Sequence, residues 1–163
     1  MPQKKFNVIF VCLGNICRSP AAENIFRQMV KEAGLENHIH IDSAGTHDYH
    51  PGKAPDKRMT ETLHRRDIPS IGAARQFKTS DFKRFDLIVA MDHENHNGIC
   101  SLANTRDHTQ KVTMFTSFCE HPDHQIAEVP DPYYGGEEGF ELVADILEDG
   151  CRELLGHIRK QLA

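Results

Sequence analysis

Val8-Ile9-Phe10-Val11-Cys12-Leu13-Gly14-Asn15-Ile16-Cys17-Arg18-Ser19-Pro20 decides the reading of this chain. The apolar, β-branched run reads as a buried strand, and it stops at a cysteine followed by a Gly-Asn turn and a helix start. The five residues between Cys12 and Arg18 are enough for the backbone to curl around one tetrahedral oxyanion, its N–H groups of Leu13 to Arg18 pointing inward. Arg18 reaches the same anion with a planar fork that matches two oxygens of a phosphate, which a lysine cannot do. Ser19-Pro20 reads as an N-cap with proline in the first helical position, so the positive end of the next helix should face the cup. Phosphate would bind there, and a thiolate would also be stabilised there, which makes Cys12 a candidate nucleophile. The Cys-x5-Arg spacing alone is weak. The sequence of strand, turn, arginine, serine and proline, each with a mechanical role, raises it.

Working outward, Lys5 to Val11 should be the first and central strand. Pro20 to Ala33 reads as a helix that buries Ala22, Ile25, Phe26, Met29 and Val30 and stops at Gly34. His38 to Ile41 alternates like a half-buried strand and runs into a small-residue turn at Ser43-Ala44-Gly45. Thr46 to Asp56 is a loop, and loops of that length inside a compact domain are often functional. Lys57 to Arg66 reads as a helix, Asp86 to Met91 as a buried strand, His93 to Ala103 as a weaker helix and Lys111 to Phe118 as an alternating strand. Gly139 to Gln161 closes the chain as a long amphipathic helix. Strands alternating with helices imply an α/β fold: one domain over residues 1–163, a parallel four-stranded sheet with helices on both faces. Its ligand site lies beyond the carboxyl ends of the strands, where Cys12, Ser43, Asp92 and the segment after Phe118 emerge.

A chain of 163 residues suits one domain, and a formal charge of −5 argues against a nucleic-acid or anionic-membrane partner. No signal peptide or long apolar run is visible, and five cysteines, an odd number, suggest reduced thiols and a cytoplasmic setting. Cys119, His121 and His124 bunch together, but their spacing matches no common zinc pattern. No metal site and no cofactor are expected.

The segment Cys12 to Pro20 resembles the signature of the low-molecular-weight protein tyrosine phosphatases. The likeness continues through Asp42-Ser43-Ala44-Gly45, Ala74-Arg75-Gln76, Met91-Asp92 and Asp131-Pro132-Tyr133-Tyr134, and it spans essentially the whole chain. It implies metal-independent hydrolysis of phosphotyrosine, or of small aryl phosphates, through a cysteinyl-phosphate. Cys12 would attack phosphorus. Arg18 and the amides of Leu13, Gly14, Asn15, Ile16 and Cys17 would hold the equatorial oxygens. Ser19 could donate to the Cys12 sulfur. Asp131 would act as general acid and then general base. From its sequence Asp-Pro is an ordinary turn signal, so that role comes from the resemblance. The resemblance also makes Asn15 the residue that keeps the cup in shape, with Ser43 as its hydrogen-bond partner. It puts Tyr49, with His50, Tyr133 and Tyr134 along the cleft, and it allows a reversible disulfide between Cys17 and Cys12.

Family members usually carry a histidine in the position of Gly72, where it supports Asn15 and Ser43; water or a neighbouring histidine is expected to fill the gap. Related protein arginine phosphatases typically carry threonine where this chain has Ile16, and an apolar residue there favours an aryl phosphate. Two alternatives stand beside this reading. One is arsenate reductase on the same scaffold, although Cys100 and Cys119 do not make the close relay pair that chemistry needs. The other is a catalytically silent phosphotyrosine-binding module. A monomer or weak homodimer is expected.

Overall fold

The computed structural model describes residues 5–133 and 135–162. Four parallel strands form one sheet in the order β2-β1-β3-β4: β1 Phe6–Cys12, β2 Ile39–Gly45, β3 Leu87–Ala90 and β4 Val112–Met114. β1 is central, with Phe10 opposite Ser43 on one side and opposite Val89 on the other. The chain runs to β2 on one side of β1 and to β3 on the other, so the strand order reverses at β1. Such a switch point opens a crevice at the carboxyl ends of the strands.

Alternation along β1 divides the core into two layers. Val8, Phe10 and Cys12 face α1 (Arg18–Glu32), α2 (Lys57–His64) and α6 (Glu137–Leu162). Ile9 and Val11 face the side of α3 (Asp81–Arg84) and α4 (His93–Cys100), among Phe77, Phe82, Phe85 and Ile99. Phe10 meets the rings of Phe26 and Phe115 with centroids 5.8 and 6.3 Å away. Each fully buried phenylalanine of this kind contributes about 1.5–3 kcal/mol of transfer free energy.

Several boundaries differ from the sequence reading. Helix α1 begins at Arg18, one residue before Ser19, so Cys17 is its N-cap and makes no side-chain cap bond. Ser19 and Pro20 lie inside the first turn, and the Ser19 hydroxyl is committed to the cup instead. Strand β2 does not turn at Ser43; it continues in register to Gly45 because β1 offers it a partner as far as Cys12. β4 stops at Met114. Phe115–Phe118 form a 3-10 turn that drops the fully buried Phe115 ring against Gly150 of α6, where an added Cβ would come within 2.3 Å of the ring. α3 and a further short helix, α5 (Arg106–Gln110), were not legible in the sequence. α2 closes at His64, two residues earlier than the pattern suggests. No described helix is long and apolar enough to cross a membrane.

Candidate active site

β1 delivers Cys12 to the crevice, and residues 13–17 curl back before α1 starts. Three devices hold that curl. Asn15 sits at φ 57°, a left-handed conformation that asparagine tolerates better than most residues. Its Oδ1 accepts the Arg75 N–H at 3.0 Å, which fixes the orientation of its amide, and Nδ2 donates to Ser19 Oγ at 2.9 Å and Ser43 Oγ at 3.0 Å. The backbone of the next two segments is stitched to the loop: Thr46 N donates to Cys12 O, His47 N to Leu13 O and Asp56 N to Ile16 O. Gly45 completes the seat, since an added Cβ there would lie 2.7 Å from Leu13 O and 3.1 Å from Asn15 N.

Cys12 and Ser19 are buried, with Sγ and Oγ 3.0 Å apart. Cys17, the second thiol of the loop, is also buried. Burial, and then the carboxylate of Asp56 with Cys12 and Asp131, push its thiol far up, so Cys17 keeps its proton. Arg18 is 2% exposed, which demands full hydrogen bonding of its charge. Its Nη1 donates to Asp92 Oδ2 at 2.7 Å and to Val129 O at 3.0 Å, and Nη2 lies 3.6 Å from Asp131 Oδ2. Asp92 is set at the end of β3, where its Oδ1 also caps α4 through the Asn95 N–H. Val129 is pinned by its own N–H to Met91 O.

These groups enclose a cavity of about 100 Å³ lined by Cys12, Leu13, Gly14, Ile16, Cys17, Arg18, Tyr49, His50, Asp131 and Tyr133. Asp131 stands across it with a side chain 39% exposed, its Oδ1 accepting the Tyr133 N–H. The rim is aromatic. Tyr49 stacks on His47 at 5.0 Å, His50 faces Tyr133 at 6.5 Å, and the Arg58 guanidinium lies 5.4 Å from the Tyr133 ring centre. Thus Cys12, Leu13, Gly14, Ile16, Cys17, Arg18, Tyr49, Asp131 and Tyr133 meet at one cavity, while Asn15, Ser19 and Ser43 stand behind its floor. Tyr134 lies outside the described residues.

The gap expected at Gly72 is not filled by a histidine of the described residues. Among the described residues no histidine bonds to Asn15, Ser19 or Ser43; the Arg75 N–H serves Asn15, and Ser43 donates to buried Glu23 at 2.5 Å. Gly72 itself has φ 129°, a conformation that a side chain rarely adopts, although an added Cβ would meet nothing within 4 Å.

The phosphotyrosine phosphatase family model, described as low molecular weight phosphotyrosine protein phosphatase, matches residues 7–163. The chain belongs to this family. A Synechocystis protein, provisionally named a low molecular weight protein-tyrosine-phosphatase, is 50% identical over 155 residues, which is 95% of this chain and 98% of that protein. YfkJ of Bacillus subtilis, named a low molecular weight protein-tyrosine-phosphatase, is 43% identical over 156 residues, covering 95% and 97%. The crystal structure of a protein tyrosine phosphatase from Entamoeba histolytica superposes with a TM-score of 0.92 at 40% identity over 98% of this chain and 100% of that one. Within the phosphatase fold, sequence reasoning placed Asp92 at the site without giving it a role, and gave none to Val129, Gly45 or Glu23. Met91-Asp92 ends an apolar strand, a position where a carboxylate emerges at the site, and that was the available signal for Asp92.

Proposed function

We propose that this chain is a metal-independent protein tyrosine phosphatase that acts in the cytoplasm as a monomer or weak homodimer, residues 1–163 forming one catalytic domain. Its substrates are phosphotyrosine-containing proteins and small aryl phosphates, and nucleic acid and membranes are not partners. The observation that carries the reading is the buried Cys12 sulfur at the floor of a cavity that also holds the Arg18 fork and, across from it, the Asp131 carboxyl.

The phosphate enters with its equatorial oxygens toward the loop amides and Arg18, and the aryl ring toward Tyr49, Ile16 and Tyr133. Cys12 attacks in line, so the S–P bond forms as the P–O bond to the ring breaks. Asp131 gives its proton to the departing phenolic oxygen. In the second step Asp131 takes a proton from water, the water oxygen bonds to phosphorus, and the S–P bond breaks with the Ser19 hydroxyl stabilising the sulfur as it leaves. Asp92 and Val129 O act before all this by keeping Arg18 extended and aimed, so little reorganisation is needed when substrate arrives. Cys17 is the proposed partner in a protective disulfide with Cys12.

The test is hydrolysis of p-nitrophenyl phosphate and a phosphotyrosine peptide at mildly acidic pH with chelator present. Wild type should turn over. Cys12→Ser should be inactive, and Asp131→Ala should lose about 10²–10⁴-fold, the usual contribution of a general acid. Binding of the peptide with no turnover by wild type would move the chain to the silent-module reading.

A further inference from the structure

The hydrogen bonds behind the cup have a direction, and it can be read without seeing a proton. Because Asn15 Oδ1 accepts a backbone N–H, its Nδ2 must donate to both Ser19 Oγ and Ser43 Oγ. Each hydroxyl is thereby left to spend its own proton elsewhere. Ser43 donates to Glu23 Oε1 at 2.5 Å, and Ser19 faces Cys12 Sγ at 3.0 Å, with Ala44 O farther away at 3.3 Å. With Cys12 as the thiolate, the nearer of the two acceptors open to Ser19, the chain runs from a carboxylate that accepts at one end to a sulfur that accepts at the other. It holds this polarity only while Glu23 is ionised.

Among the described residues Glu23 has one cationic partner. Arg27, one turn further along α1, donates from Nη2 to Glu23 Oε2 and from Nη1 to Asn24 Oδ1 at 2.6 Å. Asn24 in turn bonds both backbone groups of Ile71, accepting its N–H at 3.2 Å and donating to its O at 3.1 Å. Arg27 thus supports the carboxylate and the loop that carries Gly72. The buried residues Asn15, Ser19, Glu23, Asn24 and Ser43 are all tied to it within a few bonds, yet its side chain is 36% exposed and is not part of the cavity lining. We infer that Arg27 is a positioning residue for the reaction: by keeping Glu23 anionic it sets the polarity of the Ser43-Asn15-Ser19 chain that holds the cup and aims a hydroxyl at Cys12.

Burial holds the Glu23 carboxyl above its ordinary value, Ser43 and Arg27 offset only part of that rise, and Asp42 on β2 adds to it, its charge already shared with Arg75. Without Arg27, Glu23 takes a proton at higher pH. A protonated Glu23 no longer demands the Ser43 proton, and Ser43 can receive a second donor in its place. Asn15 then loses a well-defined acceptor and the cup loosens.

This inference rests on the proposed phosphatase reaction, and the test separates the two. Activity toward p-nitrophenyl phosphate and the rate of Cys12 alkylation by iodoacetate are measured from about pH 5 to 8 in wild type, Arg27→Met, Arg27→Lys and Glu23→Gln. Arg27→Met should gain a new acid limb at higher pH than any shown by wild type, with kcat falling about tenfold or more below wild type toward the acid end while KM changes little, as expected for one proton per site. Its alkylation should slow over the same range. Arg27→Lys should restore most of the activity. Glu23→Gln should be low and should lack the new limb. Wild-type turnover with the same profile in Arg27→Met, or a loss that Arg27→Lys does not rescue, would overturn the inference. If wild type has no turnover, the phosphatase proposal fails, and the alkylation profiles alone decide the role of Arg27.

Discussion

Gly45→Ala is the substitution whose effect can be worked furthest from geometry. Gly45 does not have a positive φ, so alanine there carries no backbone strain and adds a single methyl group. That methyl would stand 2.7 Å from Leu13 O, about 0.7 Å inside ordinary van der Waals contact, and 3.1 Å from both Asn15 N and Gly14 C. All three neighbours are backbone atoms of the cup, and Gly45 is itself held by its N–H to Arg75 O and by the Phe77 N–H to its carbonyl. Neither side can give without moving the loop that lines the cavity. Overpacking of this kind costs about 1–3 kcal/mol. For a chain of this size that is roughly 2–4 °C in Tm for each kcal/mol. Displacing positioned groups by approaching 1 Å costs on the order of 10²-fold in rate, so a loss of about 10- to 100-fold in kcat/KM is expected. Steady-state hydrolysis of p-nitrophenyl phosphate together with a thermal melt measures both. A variant with unchanged kcat/KM and unchanged Tm would refute the claim that Gly45 seats the cup.

Gly72→His should lower Tm by the equivalent of about 1–3 kcal/mol, because φ 129° strains any side chain even where space is free; a stabilised or faster variant would show that the loop can rearrange to admit the ring. Brief peroxide treatment should inactivate wild type reversibly, with thiol reductant restoring activity, whereas Cys17→Ser should not recover; equal recovery in both would remove the protective role of Cys17. Asp149 accepts the Glu120 and His121 N–H groups and pairs with His124 Nδ1 at 2.8 Å, and these contacts hold its carboxyl below the ordinary value although burial opposes them. A depressed carboxyl stabilises the fold above its unfolded value of about 4 and loses that contribution as pH falls through the folded value. Asp149→Asn should therefore be less stable than wild type near pH 7, with the difference shrinking in calorimetric scans toward about pH 3. A constant offset at every pH would contradict the linkage.

What the sequence disclosed and what it hid follow from distance along the chain. The strand into Cys12, the turn and the clustering of Cys12 and Arg18 are local, and five to seven residues of pattern were enough to read them. The carboxylate that aims Arg18 is Asp92, and the carbonyl that shares the task belongs to Val129; both come together only when β1, β3 and the segment after β4 are side by side. Ser43 looked like part of a turn because its small neighbours mimic one, but β1 supplies a ladder partner that outweighs local propensity. Ser19-Pro20 looked like a cap because serine before proline usually is one. Here the Cys12 sulfur and the Asn15 amide together occupy the Ser19 hydroxyl, and the helix starts earlier. Glu23 carries no signal of its own in the sequence; it is buried, and Ser43 reaches it from β2.

In the proposed reaction Cys12 carries the phosphoryl group between the two steps. Rapid acid quenching of the enzyme with a phosphotyrosine peptide, followed by mass spectrometry of the segment containing Cys12, tests it directly. A phosphate should appear on the Cys12 sulfur within the first turnover and accumulate further in Asp131→Ala with an activated aryl phosphate, because water is no longer deprotonated for the second step. Turnover with no label on Cys12, or with the label on another residue, would contradict it.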